Sequence, residues 1–308
     1  MNAPPGVIDP AILDRLSGLS LVARRVVEGY LAGHHTSPHR GSSVEFRQHR
    51  AYAPGDELRS IDWKVFARSD RLVVKEYVEE THLSLNLLLD ASESMSYGSQ
   101  TRGDGSVRTK FEYARWCAAA LAHLAISQRD TAGLVVFDQA ERAKVPPANG
   151  APQEAAIFQA LANAEPSGPT NVGSVLEWLA SRLAHRGITA VFSDFFDDLP
   201  TIRRGLERLV HGGHEPILFQ IVDPTELTFD FDSLLKLEGL EDSGTHKVDP
   251  KAIAEAYREE IEAHNAGLAK AASGLSLDYL VIRTTDPLDA VLASYLAQRT
   301  ARARGGSR

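Results

Sequence analysis

An α/β fold built on a doubly wound, mostly parallel sheet flanked by helices is what this sequence predicts, and three observations lead to it. Short, continuous apolar runs alternate with amphipathic stretches from the middle of the chain onward. The runs are dense in Val, Leu, Ile and Phe, the pattern of strands buried on both faces by covering helices. Each run also carries an aspartate at or just after its end: Asp90, Asp138, Asp194, Asp223 and Asp286. In doubly wound sheets, ligands bind beyond the carboxyl ends of the strands, where the winding direction reverses.

The elements follow in order. Residues 11–32 read as one amphipathic helix, with Leu13, Leu16, Leu19, Leu21, Val22, Val26, Val27 and Leu31 on its apolar face. A polar loop leads to residues 44–80, dense in charge yet interleaved with Phe46, Tyr52, Ile61, Trp63 and Phe66. Aromatics so closely spaced need something to pack on. Ile61 and Trp63 are therefore expected to be buried against the sheet domain. Asp56 and Asp62 are expected to pair with Arg59 and Arg68 in a network near the surface, since a guanidinium grips a carboxylate well.

The candidate strands are residues 83–90, 133–139, 188–194, 215–223 and 277–286. Between them lie the amphipathic stretches Lys110–Gln128, Gln153–Asn163, Val172–His185, Thr201–His211 and Pro250–Ala272, and Pro287–Arg299 closes the set. Gly212–Gly213 and Gly274 follow helical stretches as stops. Residues 234–236 and 245–248, around the polar turn 242–244, read as a small hairpin. The loop Ser96–Arg108 is polar and glycine-rich and is expected to be mobile.

The chemistry concentrates at the first strand. Its run LSLNLLLDASESMS places Asp90, Ser92 and Ser94 at alternate positions where the strand turns into a loop. One carboxylate with two hydroxyls suits a hard divalent cation that keeps some of its waters, the habit of magnesium. Thr170 in PSGPTNVGS and Asp194 at the end of ITAVFSD supply two further oxygens, so that three strand-end loops would converge. The oxygen-only set favours magnesium or manganese over zinc. If the chain winds away from the first strand and later returns to its other side, Asp90 and Asp194 flank the switch point. Asp138, Asp223 and Asp286 read as turn and cap residues. The same Asp-x-Ser-x-Ser string also suits a turn and helix cap.

Composition narrows the function classes. The chain has 308 residues, 43% hydrophobic and 24% charged, with a net charge of −8. That balance argues against a nucleic-acid binder, whose affinity comes mainly from Lys and Arg facing phosphates. No apolar run approaches the roughly 18–20 residues of a membrane span, and the first residues lack the order of a secretory signal. The single Cys117, in an Ala-rich segment, reads as a buried inert thiol and fits a cytoplasmic setting. His34, His35, His39 and His49 lack an accompanying Cys and read as a solvated linker rather than a zinc cluster. Neither a G-x-S-x-G elbow nor a phosphate-binding glycine loop occurs.

The string RAYAPGDELRSIDWKVFAR resembles the signature of the bacterial family called domain of unknown function 58, whose members carry a von Willebrand factor A-like domain after this motif. DASESM resembles the first motif of that domain's metal-ion-dependent adhesion site, Thr170 and Asp194 match its second and third, and the ending YLVIRTTDPLDAVLASYLAQR also looks like that family's. The resemblance implies a sheet of about six strands, with an N-terminal extension over residues 1–80, the sheet domain over 81–300 and a basic tail over 301–308. It implies Mg2+ (or Mn2+) held directly by Ser92, Ser94 and Thr170 and through waters by Asp90 and Asp194, with a position left for an acidic residue of a protein partner. Asp56, Arg59, Asp62, Trp63 and Arg68 would form a structural or partner-binding motif. The function implied is a non-enzymatic, magnesium-dependent adaptor working with a MoxR-type AAA+ ATPase. A metal-dependent hydrolase is the alternative.

Overall fold

The computed structural model describes residues 45–53, 56, 61–78, 83–101, 105–183, 186–229, 235–238, 245–248, 250–292 and 294–295. The expected helix over 11–32, Arg59 and the basic tail lie outside the described residues.

Strand β1 (Glu45–Ala51) pairs antiparallel with β2 (Val73–Val78), and the short helix α1 (Trp63–Ser69) lies between them in sequence. Ile61 is buried and bridges to Val74. Trp63 corrects the expectation of burial: it is 57% exposed and meets Phe66 edge-on along the same helix. The described charged pairs of this segment are Asp62 with His49 and Asp56 with Arg50, and the expected pairs with Arg59 lie outside the described residues. Asp62 caps α1, its Oδ1 accepting from the amides of Lys64 and Val65, while its Oδ2 lies 3.0 Å from His49 Nε2. Asp56 pairs with Arg50 at 2.8 Å. Arg68 sits exposed in the last turn of α1.

Strand β3 (Ser84–Asp90) is buried along its whole length. A ribbon of β4 (Gln100–Thr101) and β5 (Val107–Arg108) follows, and then helix α2 (Lys110–Ser127). Next come β6 (Thr131–Phe137), β7 (Glu141–Ala148), α3 (Ala151–Asn163), α4 (Val172–Leu179), β8 (Ile188–Ser193), α5 (Leu199–His211) and β9 (Glu215–Val222). Then follow α6 (Pro224–Thr228), the hairpin β10 (Leu235–Glu238) and β11 (Thr245–Val248), α7 (Pro250–Gly274) and β12 (Asp278–Arg283). Residues 288–292 and 294–295 are helical.

The main sheet has six strands in the order β12-β9-β8-β3-β6-β7, all parallel except the edge strand β7. The chain winds outward from β3 through β6 and β7, then returns to the other side of β3 as β8. This is the expected reversal, and it places the ends of β3 and β8 side by side. The strand that pattern reading missed is β7. It is an exposed edge bearing Pro146 and Pro147, with no apolar run to announce it.

Side chains alternate along β3, so Leu85, Leu87 and Leu89 enter one core with α2, α3 and the final helical residues. Leu88 enters the other core with α4, α5 and α7. Burying this much aliphatic and aromatic surface on both faces is the main stabilising contribution to the domain. Glycine permits the closest helix contact, since a Cβ on Gly205 would stand 2.6 Å from the carbonyl oxygen of Gly173. Cys117 is fully buried, which pushes its thiol well above the ordinary range. Among the described residues no helix is long and apolar enough to cross a membrane.

Candidate metal centre

The five proposed ligands stand at one end of the sheet. The first turn after β3 is built by Asp90 itself: its Oδ1 accepts from the amide of Ser92 at 2.9 Å, curling the chain into a single 3-10 turn over Glu93–Ser96. That turn brings Ser92 Oγ and Ser94 Oγ to 3.1 Å from each other. Neighbouring ligands on an octahedral magnesium, with bonds of about 2.1 Å, stand about 3.0 Å apart. The spacing is that of the hydrogen bond the two hydroxyls make with each other, and it is also compatible with two neighbouring ligands of such an ion.

Thr170 does not lie in a strand-end loop, as its sequence setting suggested. It lies in the loop 164–171 between α3, which packs on one face of the sheet, and α4, which packs on the other. The loop must cross the carboxyl edge of the sheet to change faces. It is fastened there by two backbone bonds, Glu93 N to Gly168 O and Ser167 N to Ala91 O, each 2.8 Å. The Thr170 hydroxyl oxygen is buried beside the turn so formed.

Asp90 and Asp194 are both fully buried. Ser193 Oγ donates to Asp90 Oδ2 at 2.6 Å, and Phe196 N donates to Asp194 Oδ1 at 3.2 Å. Asp90's carboxyl is pushed up to about 7, first by burial and then by the neighbouring Asp194 carboxylate. Two acids this close in a dry setting raise the free energy of the ionised state, which a divalent cation would lower.

Sequence reasoning missed one cation already in the site. Lys110 Nζ, fully buried, donates to Asp194 Oδ2 at 2.8 Å and to Glu226 Oε1 at 2.6 Å. Burial works against its charge, yet Asp194 and Glu226 outweigh that and hold the ammonium firmly protonated. Glu226's carboxyl is raised by burial, with Lys110 opposing. A signal existed: Lys110 opens an apolar, Ala-rich helix at its N-terminal end, where the helix dipole disfavours a cation. Glu226 was hidden because its place in a capping box with Asp223 already explains a Glu there.

Asp138 and Asp286 make turn bonds, as expected. Asp223 does more than cap α6. It accepts from Ser99 N and Oγ, from Thr225 N and Oγ1, and from Thr284 Oγ1. The base of the loop expected to be mobile is thereby tied to the end of β9.

Comparison with known proteins agrees with the motif. A family model described as "Protein of unknown function DUF58" matches residues 48–267. The chain belongs to this family. Similar relatives include the uncharacterized proteins Rv1480 of Mycobacterium tuberculosis and Mb1516 of Mycobacterium bovis. Each is 24% identical over 314 residues, covering 98% of this chain and 96% of the relative. Among solved structures, BatB from Bacteroides thetaiotaomicron matches with a TM-score of 0.43 at 13% identity, covering 71% of this chain and 99% of that one. The SpRpn10 VWA domain matches with a TM-score of 0.40 at 14% identity, covering 69% of this chain and 94% of that one.

Proposed function

We propose that this DUF58 chain is a non-enzymatic, magnesium-dependent protein-interaction module acting in the cytoplasm, with its extension over residues 1–80 and its sheet domain over 81–300. The observation that carries the reading is the Ser92–Ser94 hydroxyl pair, 3.1 Å apart beside two fully buried aspartates. Ser92, Ser94 and Thr170 would hold Mg2+ (or Mn2+) directly, and Asp90 and Asp194 through water. The ion would supply a positive centre able to accept a carboxylate from another protein.

Neutral hydroxyls keep negative charge low around such an ion, so an incoming Glu or Asp stays attractive. The donor set supports binding rather than turnover, because hydrolytic metal sites rely on more carboxylate or His ligands to activate water. By analogy with the family, the partner is a MoxR-type AAA+ ATPase or a protein it remodels. The test is co-purification with such an ATPase in magnesium, in EDTA, and with Ser92→Ala. Association that needs the ion and Ser92 supports the reading. Association indifferent to both overturns it.

A further inference from the structure

Resting on the metal reading above, we propose that Lys110 is a tethered cation that competes with the divalent ion for Asp194 and so sets the affinity of the site low. The ammonium is not a surface charge that can swing away. Its side chain is fully buried, and its backbone is fixed at the first position of α2, where Thr109 Oγ1 caps the helix through Glu112 N. Lys110's own amide donates to the carbonyl of Tyr97 at 2.9 Å, and the Phe196 ring lies 5.2 Å from its Nζ. Two of the three ammonium donors are spent on Asp194 and Glu226.

The charge balance gives this its consequence. Asp90, Asp194 and Glu226 together can carry three negative charges, and Lys110 returns one positive charge on the Asp194 side. An ion held by the Ser92, Ser94 and Thr170 hydroxyls shares Asp194 with Lys110 and is repelled by the ammonium through a low-dielectric interior, where such repulsion is poorly screened. In the same way, Asp194 is already compensated without any divalent ion. The loop after β8 therefore keeps its shape when the metal is lost. Glu226 takes part in both effects, because it draws the ammonium and offsets its charge. Lys110 and Glu226 thus act on the ion with opposite sign although neither is among its proposed ligands.

The experiment is Mn2+ titration of the full chain, read by electron paramagnetic resonance, together with melting in EDTA, for wild type, Lys110→Met and Glu226→Gln. Lys110→Met is expected to bind Mn2+ at least about tenfold more tightly, and Glu226→Gln at least about threefold more weakly. Lys110→Met should also melt lower than wild type in EDTA and recover with Mn2+, because Asp194 and Glu226 lose their counter-charge. Tight binding by Lys110→Met when wild type binds too weakly to detect supports the proposal strongly. Equal or weaker binding by Lys110→Met overturns it and leaves the metal reading intact. No binding by either protein at millimolar Mn2+ overturns both. Should Lys110→Met fail to fold, Glu226→Gln decides by sign alone: weaker binding supports the proposal, and unchanged or tighter binding overturns it.

Discussion

Ser193 Oγ donates to Asp90 Oδ2 at 2.6 Å across the ends of two neighbouring parallel strands, and both side chains are fully buried. Parallel pairing of Leu89 with Phe192 brings the two residues to this meeting point. The same hydroxyl accepts from the amide of Phe195, a residue held at a φ of 57° immediately after Asp194. One small side chain thus organises both halves of the candidate centre.

Ser193→Ala should therefore destabilise the fold by about 1.5–3 kcal/mol, the range for losing a buried hydrogen bond to a charged or partly charged acceptor. Urea denaturation of the metal-free protein measures it. A serine-to-alanine change within the scatter of surface substitutions would mean that Asp90 finds another donor.

In the N-terminal motif the two aspartates should behave differently. Asp62 is buried and caps α1, so Asp62→Ala is expected to cost about 0.5–2 kcal/mol. Asp56 pairs with Arg50 at an exposed site, and Asp56→Ala should leave the melting temperature unchanged. Trp63→Ala should also be tolerated, because the residue is more than half exposed. A large loss of stability on removing Trp63 would mean that the ring packs against more than Phe66.

Asp223 makes the tie at the end of β9 sensitive to acid. Burial alone would raise its carboxyl, but the donors from Ser99 and Thr225 outweigh burial and hold it below the ordinary aspartate value of 3.8. A carboxylate depressed in the folded state contributes stability above its unfolded pKa and loses that contribution as pH falls through the folded one. Asp223→Asn should thus be less stable than wild type at pH 7, with the gap closing below about pH 3.8. Chemical denaturation at both pH values tests this. A gap of undiminished size in acid would assign the effect to shape rather than charge.

Much of this arrangement could be read from residue order. Continuous apolar runs revealed five of the six strands: β3, β6, β8 and β9 are buried along almost their whole length, and the edge strand β12 keeps an apolar run although it is only partly covered. The run Glu141–Ala148 escaped because that exposed edge carries charges and two prolines in place of an apolar run. Asp90, Ser92 and Ser94 share one turn and could be grouped by spacing alone. Lys110 and Glu226 could not, because Lys110 on α2 lies 84 residues from Asp194 and 116 from Glu226 on α6, the two acids it bridges. Trp63 misled for a different reason: an aromatic residue amid charges signals a need to pack, but does not say whether its partner is the core or the next turn of its own helix.

The last prediction concerns which hydroxyls hold the ion. Ser92, Ser94 and Ser96 fall in the same turn, but Ser96 Oγ donates to the carbonyl of Glu93 at 2.6 Å and so faces back into the turn. Ser92 and Ser94 instead meet each other, beside Asp90. Calorimetric titration with Mg2+ or Mn2+ should show Ser92→Ala and Thr170→Ala each weakening binding by at least about tenfold, since even outer-sphere partners of a metal contribute that much. Ser96→Ala should bind like wild type. Because the donors are all oxygens, zinc should not displace magnesium with the advantage it gains at nitrogen and sulfur sites. If removing Ser96 weakens binding as much as removing Ser92, the effect comes from the turn's shape and not from coordination. If neither matters, the ion sits elsewhere.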